Sequence, residues 1–234
     1  MYNTIILGSG YYSAGYALGH ENSIIIEKSQ LCDINFYGTY SGFCQTEYEP
    51  VSQEGKEMKD YFNSFGILRD TKINVNTLES VFCSFIKNKP IKILLNTECI
   101  SVTQAQGVYC VEIYNNAGLD RLYAKKVIDT RAKNKNQLNV LLELDSEGYA
   151  LFSKKYKVLR AFYEDEYIIS YKTDKDVNTA KLDFYNEWKN TAKLKNSRII
   201  SFAYQLSGKN VDLSLGNMFK AFDWGMQGAE YENL

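Results

Sequence analysis

Hydrophobic positions fall into three patterns along the chain: short runs closed by glycine, then helical spacing, then in–out alternation. Residues 4–7, Thr-Ile-Ile-Leu, are β-branched or apolar and stop at Gly8. A run bounded this way predicts a short buried strand. Ala14, Gly15, Ala17 and Leu18 then give residues 11–19 a small or apolar helical face. A second apolar run over residues 23–26 ends on Glu27. Residues 43–75 open with a polar stretch, predicting loop and then a helix from about Glu54. Asn76 precedes Thr77-Leu78-Glu79, which reads as an N-cap with a glutamate three positions on. Leu78, Val81, Phe82, Phe85 and Ile86 follow at helical spacing and stop before Pro90, predicting an amphipathic core helix.

Alternation takes over at residue 91. "VYCVEIY" and "DRLYAKKVID" flank "NNAG", a hairpin by its turn chemistry. Residues 138–172 predict further strands in "NVLLEL", "YALFS", "KVLRAFY" and "EYIISYK". A helix over residues 178–193 places Leu182, Tyr185 and Trp188 on one side, and "SRIISFAYQL" returns as strand.

The opening carries candidate chemistry. Gly8 and Gly10 form G-x-G between a strand and a helix that Tyr11 opens. Such a turn lets backbone approach a pyrophosphate, and the free amides and dipole of the helix N-terminus favour the negative charge. Glu27 stands 19 residues after Gly8, near the roughly 20 expected for the acid that holds a ribose hydroxyl pair. A carboxylate there repels a 2′-phosphate, which points to an adenosine ribose of the FAD or NAD kind. Ser13 stands where the motif has its third glycine, the residue that normally allows close helix–strand packing.

Composition narrows the rest. The 234 residues include 27 Lys plus Arg against 28 Asp plus Glu, so no strong field draws the chain to nucleic acid or anionic membrane. No stretch approaches the roughly 18 uninterrupted apolar residues of a membrane span. No signal peptide is read, since the first basic side chain is Lys28. Five scattered cysteines without a CxxC pair fit free thiols in a reducing cytoplasm. His20 is the sole histidine. It sits beside Gly19 at a helix end and reads as a C-terminal cap, so it supports neither a Ser-His-Asp triad nor a His/Cys zinc site. The 19 tyrosines fit stacking or interface surfaces, a homodimer or a hetero-partner, or simply a biased composition.

Three blocks resemble FAD-dependent oxidoreductases of the glutathione-reductase-like group with two dinucleotide-binding domains. The first is "TIILGSGYYSAGYALG" with "SIIIEKSQLCDINFYGTYSGF", similar to that family's opening motif, acid-ended strand with Glu27 and Lys28, and flavin-flanking loop with Gly38, Ser41 and Gly42. The second is residues 91–133, similar to the β-meander and return strand. Its usual Ala-Thr-Gly end is Asp129-Thr130-Arg131 here. The third is residues 216–234, where Phe222-Asp223 stands for the Gly-Asp that meets the ribityl–phosphate region, with Gly225 in the following helix entry.

The resemblance implies an α/β fold, a Rossmann-like FAD-binding domain with parallel sheet and β-meander plus a small α+β substrate-type domain. It implies division into 1–135 with 206–234 as the nucleotide-binding part, and 136–205 as a substrate or cap domain. The cofactor implied is FAD, held by Gly8, Gly10, Tyr11, Ser13, Glu27, Lys28, Gly42, Thr130, Arg131, Asp223 and Gly225. Arg131 either pairs with the pyrophosphate or blocks the site. Tyr40 and Cys44 fall nearest the ring by analogy and are the catalytic candidates, against plain packing. A second G-x-G turn is absent, so reducing equivalents would come from an external reductant, oxygen or a partner protein. Two functions stand: a cytoplasmic FAD-dependent oxidoreductase on an unknown small organic substrate, or a degenerate flavoprotein-fold subunit without redox turnover.

Overall fold

The computed structural model describes residues 1–41, 47–191 and 196–229. The chain opens with β1 (Tyr2–Leu7), α1 (Tyr11–Gly19) and β2 (Ser23–Ile26). Then come α2 (Gln53–Ser64), the hairpin β3 (Leu68–Arg69) and β4 (Lys72–Ile73), and α3 (Val75–Lys87). Next are β5 (Ile93–Leu94) and a meander of β6 (Glu98–Ala105), β7 (Val108–Asn115) and β8 (Gly118–Asp129). The second half holds β9 (Lys133–Glu143), α4 (Ser146–Phe152), β10 (Lys157–Arg160), β11 (Glu166–Lys172) and α5 (Val177–Asn190). It closes with β12 (Arg198–Phe202), β13 (Ser207–Lys209), α6 (Val211–Leu215) and α7 (Met218–Met226).

The first sheet runs β5-β2-β1-β8-β7-β6. β5, β2, β1 and β8 pair in parallel, and β8, β7 and β6 pair antiparallel. A parallel β1–α1–β2 crossover therefore lies beside a meander, the mixed α/β arrangement the opening pattern predicts. Period-two alternation places both faces of β1 in core. Ile6 joins the helices α1, α2, α3 and α7 on one face, while Ile5 and Leu7 pack with Ile24, Val111 and Ile113 on the other. The second sheet, β10-β11-β9-β12 with β13 also on β9, is antiparallel and encloses a separate core with α4 and α5 around Val140, Ile168, Phe152 and Phe184.

Local signals explain the helix limits, including three departures from the sequence expectations. The N-cap of α3 is Asn74, two residues before the expected Asn76, and its side chain accepts the Asn76 amide at 3.2 Å. "YALFS" forms the end of α4 and its C-cap residue Ser153, and not a strand: Asp145 caps the helix by accepting the Gly148 amide at 2.8 Å. A cap of this kind starts a helix whatever the β-propensity of Tyr149 and Phe152. Phe222-Asp223 does not close a strand, since both residues lie inside α7. His20 caps α1, its amide reaching Tyr16 O at 3.0 Å.

Candidate functional site

The β1–α1 turn is held from three sides. Gly8 has φ of 98°, which favours glycine, and its amide donates to Ile26 O at 2.9 Å. The Thr130 hydroxyl donates to Leu7 O at 3.0 Å and Gly8 O at 3.1 Å. The Ser13 hydroxyl donates to Gly8 O at 2.8 Å and lies 3.1 Å from the Thr130 hydroxyl. Serine in place of the third glycine therefore ties helix to strand by a hydrogen bond across the gap.

An internal anion sits on the N-terminus of α1. The Tyr12 amide donates to Asp212 Oδ1 at 2.8 Å, and Asn35 Nδ2 donates to Oδ2 at 2.7 Å. A Cβ built on Gly10 would lie 2.1 Å from Asp212 Oδ2. The space this glycine leaves open is thus filled by the Asp212 carboxyl. Free amides and the helix dipole make that end a seat for negative charge. Asp212 is wholly buried, and burial pushes its pKa up to about 6, against the hydrogen bonds from Asn35, Tyr12 and Tyr11. Asn35 Oδ1 has no partner among the described residues.

Beside the turn, Glu27 is 6% exposed. Its Oε2 accepts the Ser9 amide at 2.9 Å and the Ser9 hydroxyl at 3.3 Å, and Oε1 accepts the Ser29 amide at 2.8 Å. The carboxylate stands at one wall of a cavity of about 380 Å³, shared with Gly8, Thr97, Arg131, Lys135 and Tyr204. Pockets for small molecules span roughly 300–1,000 Å³. Arg131 lies along this wall with its guanidinium paired to Asp129 at 2.6 Å and 2.8 Å. Lys28 also lines the cavity and pairs with Glu98, another residue of its wall, at 2.6 Å.

Other residues singled out in the sequence stand elsewhere. The Tyr11 backbone opens α1, but its side chain is core, 5.4 Å from Phe36 and 4.2 Å from Phe82 between ring centres. Asp223 organises the start of α2: it accepts the Val51 amide at 2.6 Å, the Ser52 amide at 3.2 Å, the Tyr48 hydroxyl at 3.0 Å and the Ser52 hydroxyl. It is a structural anchor, because α7 carries it into the helical core and away from the cavity wall. Gly225 is a helix-crossing residue, where a Cβ would meet Tyr12 O at 2.1 Å. The Tyr40 hydroxyl donates to Ser201 Oγ at 3.0 Å, binding the loop to β12. Gly42 and Cys44 lie outside the described residues. Sequence reasoning missed Asp212 and Asn35. No periodic pattern links residue 212 to residue 12; the one local signal was a lone acid behind the cap residue Asn210.

A dinucleotide such as the FAD implied by the resemblance meets this geometry unevenly. For an adenosine end there is a cavity of ligand size with Glu27 in its wall. The diphosphate seat is held by Asp212, which must withdraw before phosphates reach the α1 amides.

No protein-family model matches the sequence, and no curated protein matches it significantly. Solved structures do. A p-nitrophenol 4-monooxygenase from Pseudomonas putida is 13% identical over 99% of this chain and 82% of its own, with TM-score 0.52. An anhydrotetracycline hydroxylase from Streptomyces rimosus is 8% identical, covering 86% of this chain and 51% of its own, at 0.53. A flavoprotein/dehydrogenase from Cytophaga hutchinsonii is 9% identical over 97% and 76%, at 0.50. The chain spans about half the length of the hydroxylase. At these identities the likeness is one of fold: the mixed α/β fold found in flavoproteins. Among the described residues no helix is long and apolar enough to cross a membrane.

Proposed function

We propose that the chain is an FAD-binding oxidoreductase of the glutathione-reductase-like type acting on a small organic substrate. The carrying observation is the cavity at the ends of β1 and β2, with the Glu27 carboxylate beside the glycine turn. In this reading Glu27 holds the adenosine ribose, while Gly8, Gly10 and the α1 amides face the diphosphate once Asp212 has withdrawn. Arg131, Lys135 and Lys28 supply positive charge along the cavity wall. Bound flavin would supply hydride or electron transfer, and the chain its position and electrostatics. Residues 1–135 with 206–234 form the nucleotide-binding part and 136–205 the substrate part; separate cores on the two sheets support two parts, with Leu206 and β13 packed on the second sheet's side of that boundary. Cytoplasmic location, and a homodimer or hetero-partner, belong to the same proposal.

Asp212 also favours a second reading, a flavoprotein-fold subunit that keeps the adenosine cavity without redox turnover. Flavin absorption of the purified protein and FAD titration by fluorescence quenching separate the two. The oxidoreductase reading expects a yellow protein or saturable FAD binding. It expects Glu27→Gln to weaken that binding by about 1–3 kcal/mol, the scale of charge-assisted hydrogen bonds lost. A colourless protein that binds adenosine or ADP but ignores FAD selects the subunit.

A further inference from the structure

Outside the cavity, one cluster of reactive groups stands without a role. Cys32 Sγ lies 2.6 Å from Cys83 Sγ. Cys83 follows Glu79 by one helical turn on α3, and the Glu79 carboxylate reaches across to the loop after β2. It accepts the Cys32 amide at 2.5 Å and the Asp33 amide at 3.0 Å, with Cys83 Sγ at 3.3 Å. Backbone hydrogen bonds thus fix Cys32 against the helix that carries Cys83.

We propose that Cys32 and Cys83 are a redox pair that forms a reversible intrachain disulfide by exchange with low-molecular-weight disulfides. A disulfide needs its sulfurs at about 2.05 Å, so closure asks about 0.5 Å of movement from side chains already aimed at each other. The two sulfurs and the Glu79 carboxylate lie within 4.8 Å of one another and resemble a metal-ligand set. The sulfur spacing favours a sulfur–sulfur bond. Two thiolates on one tetrahedral zinc at about 2.3 Å sit about 3.8 Å apart, much wider than this pair. Both cysteines are free thiols in the structure. Contact with Cys32, then burial, pushes the Cys83 thiol pKa up, so exchange is slow at neutral pH and faster in mild alkali.

Cys83 is the more accessible of the two and attacks first. Having lost its proton to solvent, its thiolate displaces one thiolate from the small disulfide and leaves a mixed disulfide. The Cys32 thiolate then attacks the Cys83 sulfur and expels the second. Two protein thiols are oxidised, one external disulfide is reduced, and the two released thiolates take up the protons. The product links the loop that carries Asn35 to α3, closing a span of 51 residues.

The test incubates the full chain with oxidised glutathione in mild alkali, followed by intact mass, non-reducing trypsin mapping and thermal melting. The proposal expects the mass to fall by two hydrogens. A peptide should join residues 29–56 to residues 73–87, with fragment ions assigning Cys32. The melting temperature should rise by about 5 °C or more, and dithiothreitol should reverse each change. Cys32→Ser and Cys83→Ser should each abolish the link, and Cys99→Ser should keep it. A natively folded wild type, by circular dichroism, whose two thiols both remain alkylatable overturns the proposal. So does a link through Cys44, or one equivalent of zinc released from the purified protein by a thiol-modifying reagent.

Discussion

A carboxyl group buried on a helix N-terminus feels two opposed effects, and Asp212 shows which is larger. Amides of α1 and Asn35 favour its charged form, yet burial dominates and holds the pKa at about 6. The unfolded value is about 3.9, so the folded chain grips this proton more tightly. The stabilising contribution is complete below about pH 4 and is lost as pH rises through about 6. Its size is about 3 kcal/mol. Asp212→Asn should remove the dependence, since its carbonyl can keep the Tyr12 amide while Asn35 Oδ1 accepts from the new amide. Urea unfolding between pH 4 and 7 should show the variant gaining on the wild type by about that amount as pH rises. Glu79, whose pKa burial also raises, titrates in both proteins and cancels in the difference, whereas Asp33, raised by burial and in smaller part by the Asp212 charge, cancels only in part. Parallel profiles would mean that Asp212 does not carry the cost of buried charge assigned to it.

Close helix crossing, at the level of elements, explains glycines that the opening motif does not. A Cβ on Gly15 would meet Phe222 O at 2.0 Å, one on Gly225 Tyr12 O at 2.1 Å, and one on Gly19 Met226 O at 2.5 Å. These contacts run along the α1–α7 seam and are all with backbone, which cannot turn aside as a side chain can. Gly225→Ala gains about 1 kcal/mol of helix propensity but overpacks a seam with no slack, at about 2–3 kcal/mol or more. The clash wins, so the variant should melt lower by several degrees; an unchanged or higher melting temperature would mean the seam is loose. The β1–α1–β2 unit was legible from short apolar runs closed by Gly8 and Glu27, and α3 and the meander because periods of 3.6 and 2.0 residues dominate those stretches. Helix α4 was not, because aromatic residues with strand character follow a cap at Asp145 that decides the matter locally. Asp223 misled for a related reason. An acid two residues before Gly225 resembled the family's strand terminus, while the Asn217 cap and the apolar run behind it start a helix. The position of Glu27 could be counted from Gly8, but the partners it meets could not: Ser9 and Ser29 are set by the fold of the turn.

The whole molecule adds what neither sheet has alone. Loop residues 33–41 lean on the second sheet: Asn139 Nδ2 donates to Thr39 O at 2.8 Å, the Gln205 amide to Gly38 O at 2.9 Å, and Gln205 Nε2 to Ile34 O at 3.2 Å. The cavity wall therefore draws Glu27 from the first sheet, Ile34 and Asn35 from the loop, and Tyr204 and Gln205 from the segment after β12. Asn35 belongs to this wall and also holds Asp212, so a ligand in the cavity and the carboxyl on α1 share a neighbour. A diphosphate entering the turn meets Asp212 as a like charge on the same amides, and protonation of that carboxyl weakens both the repulsion and its hold. ADP is the simplest probe, since it carries the adenosine and diphosphate without the flavin. Its affinity for the wild type should rise as pH falls through about 6, the Asp212 pKa. Asp212→Asn should bind ADP about tenfold more tightly than the wild type above neutral pH, equivalent to about 1.4 kcal/mol, with little change on acidification. Calorimetric titration of both proteins across that range decides it: equal affinities at every pH would show that the ligand never contends with Asp212 for the α1 amides.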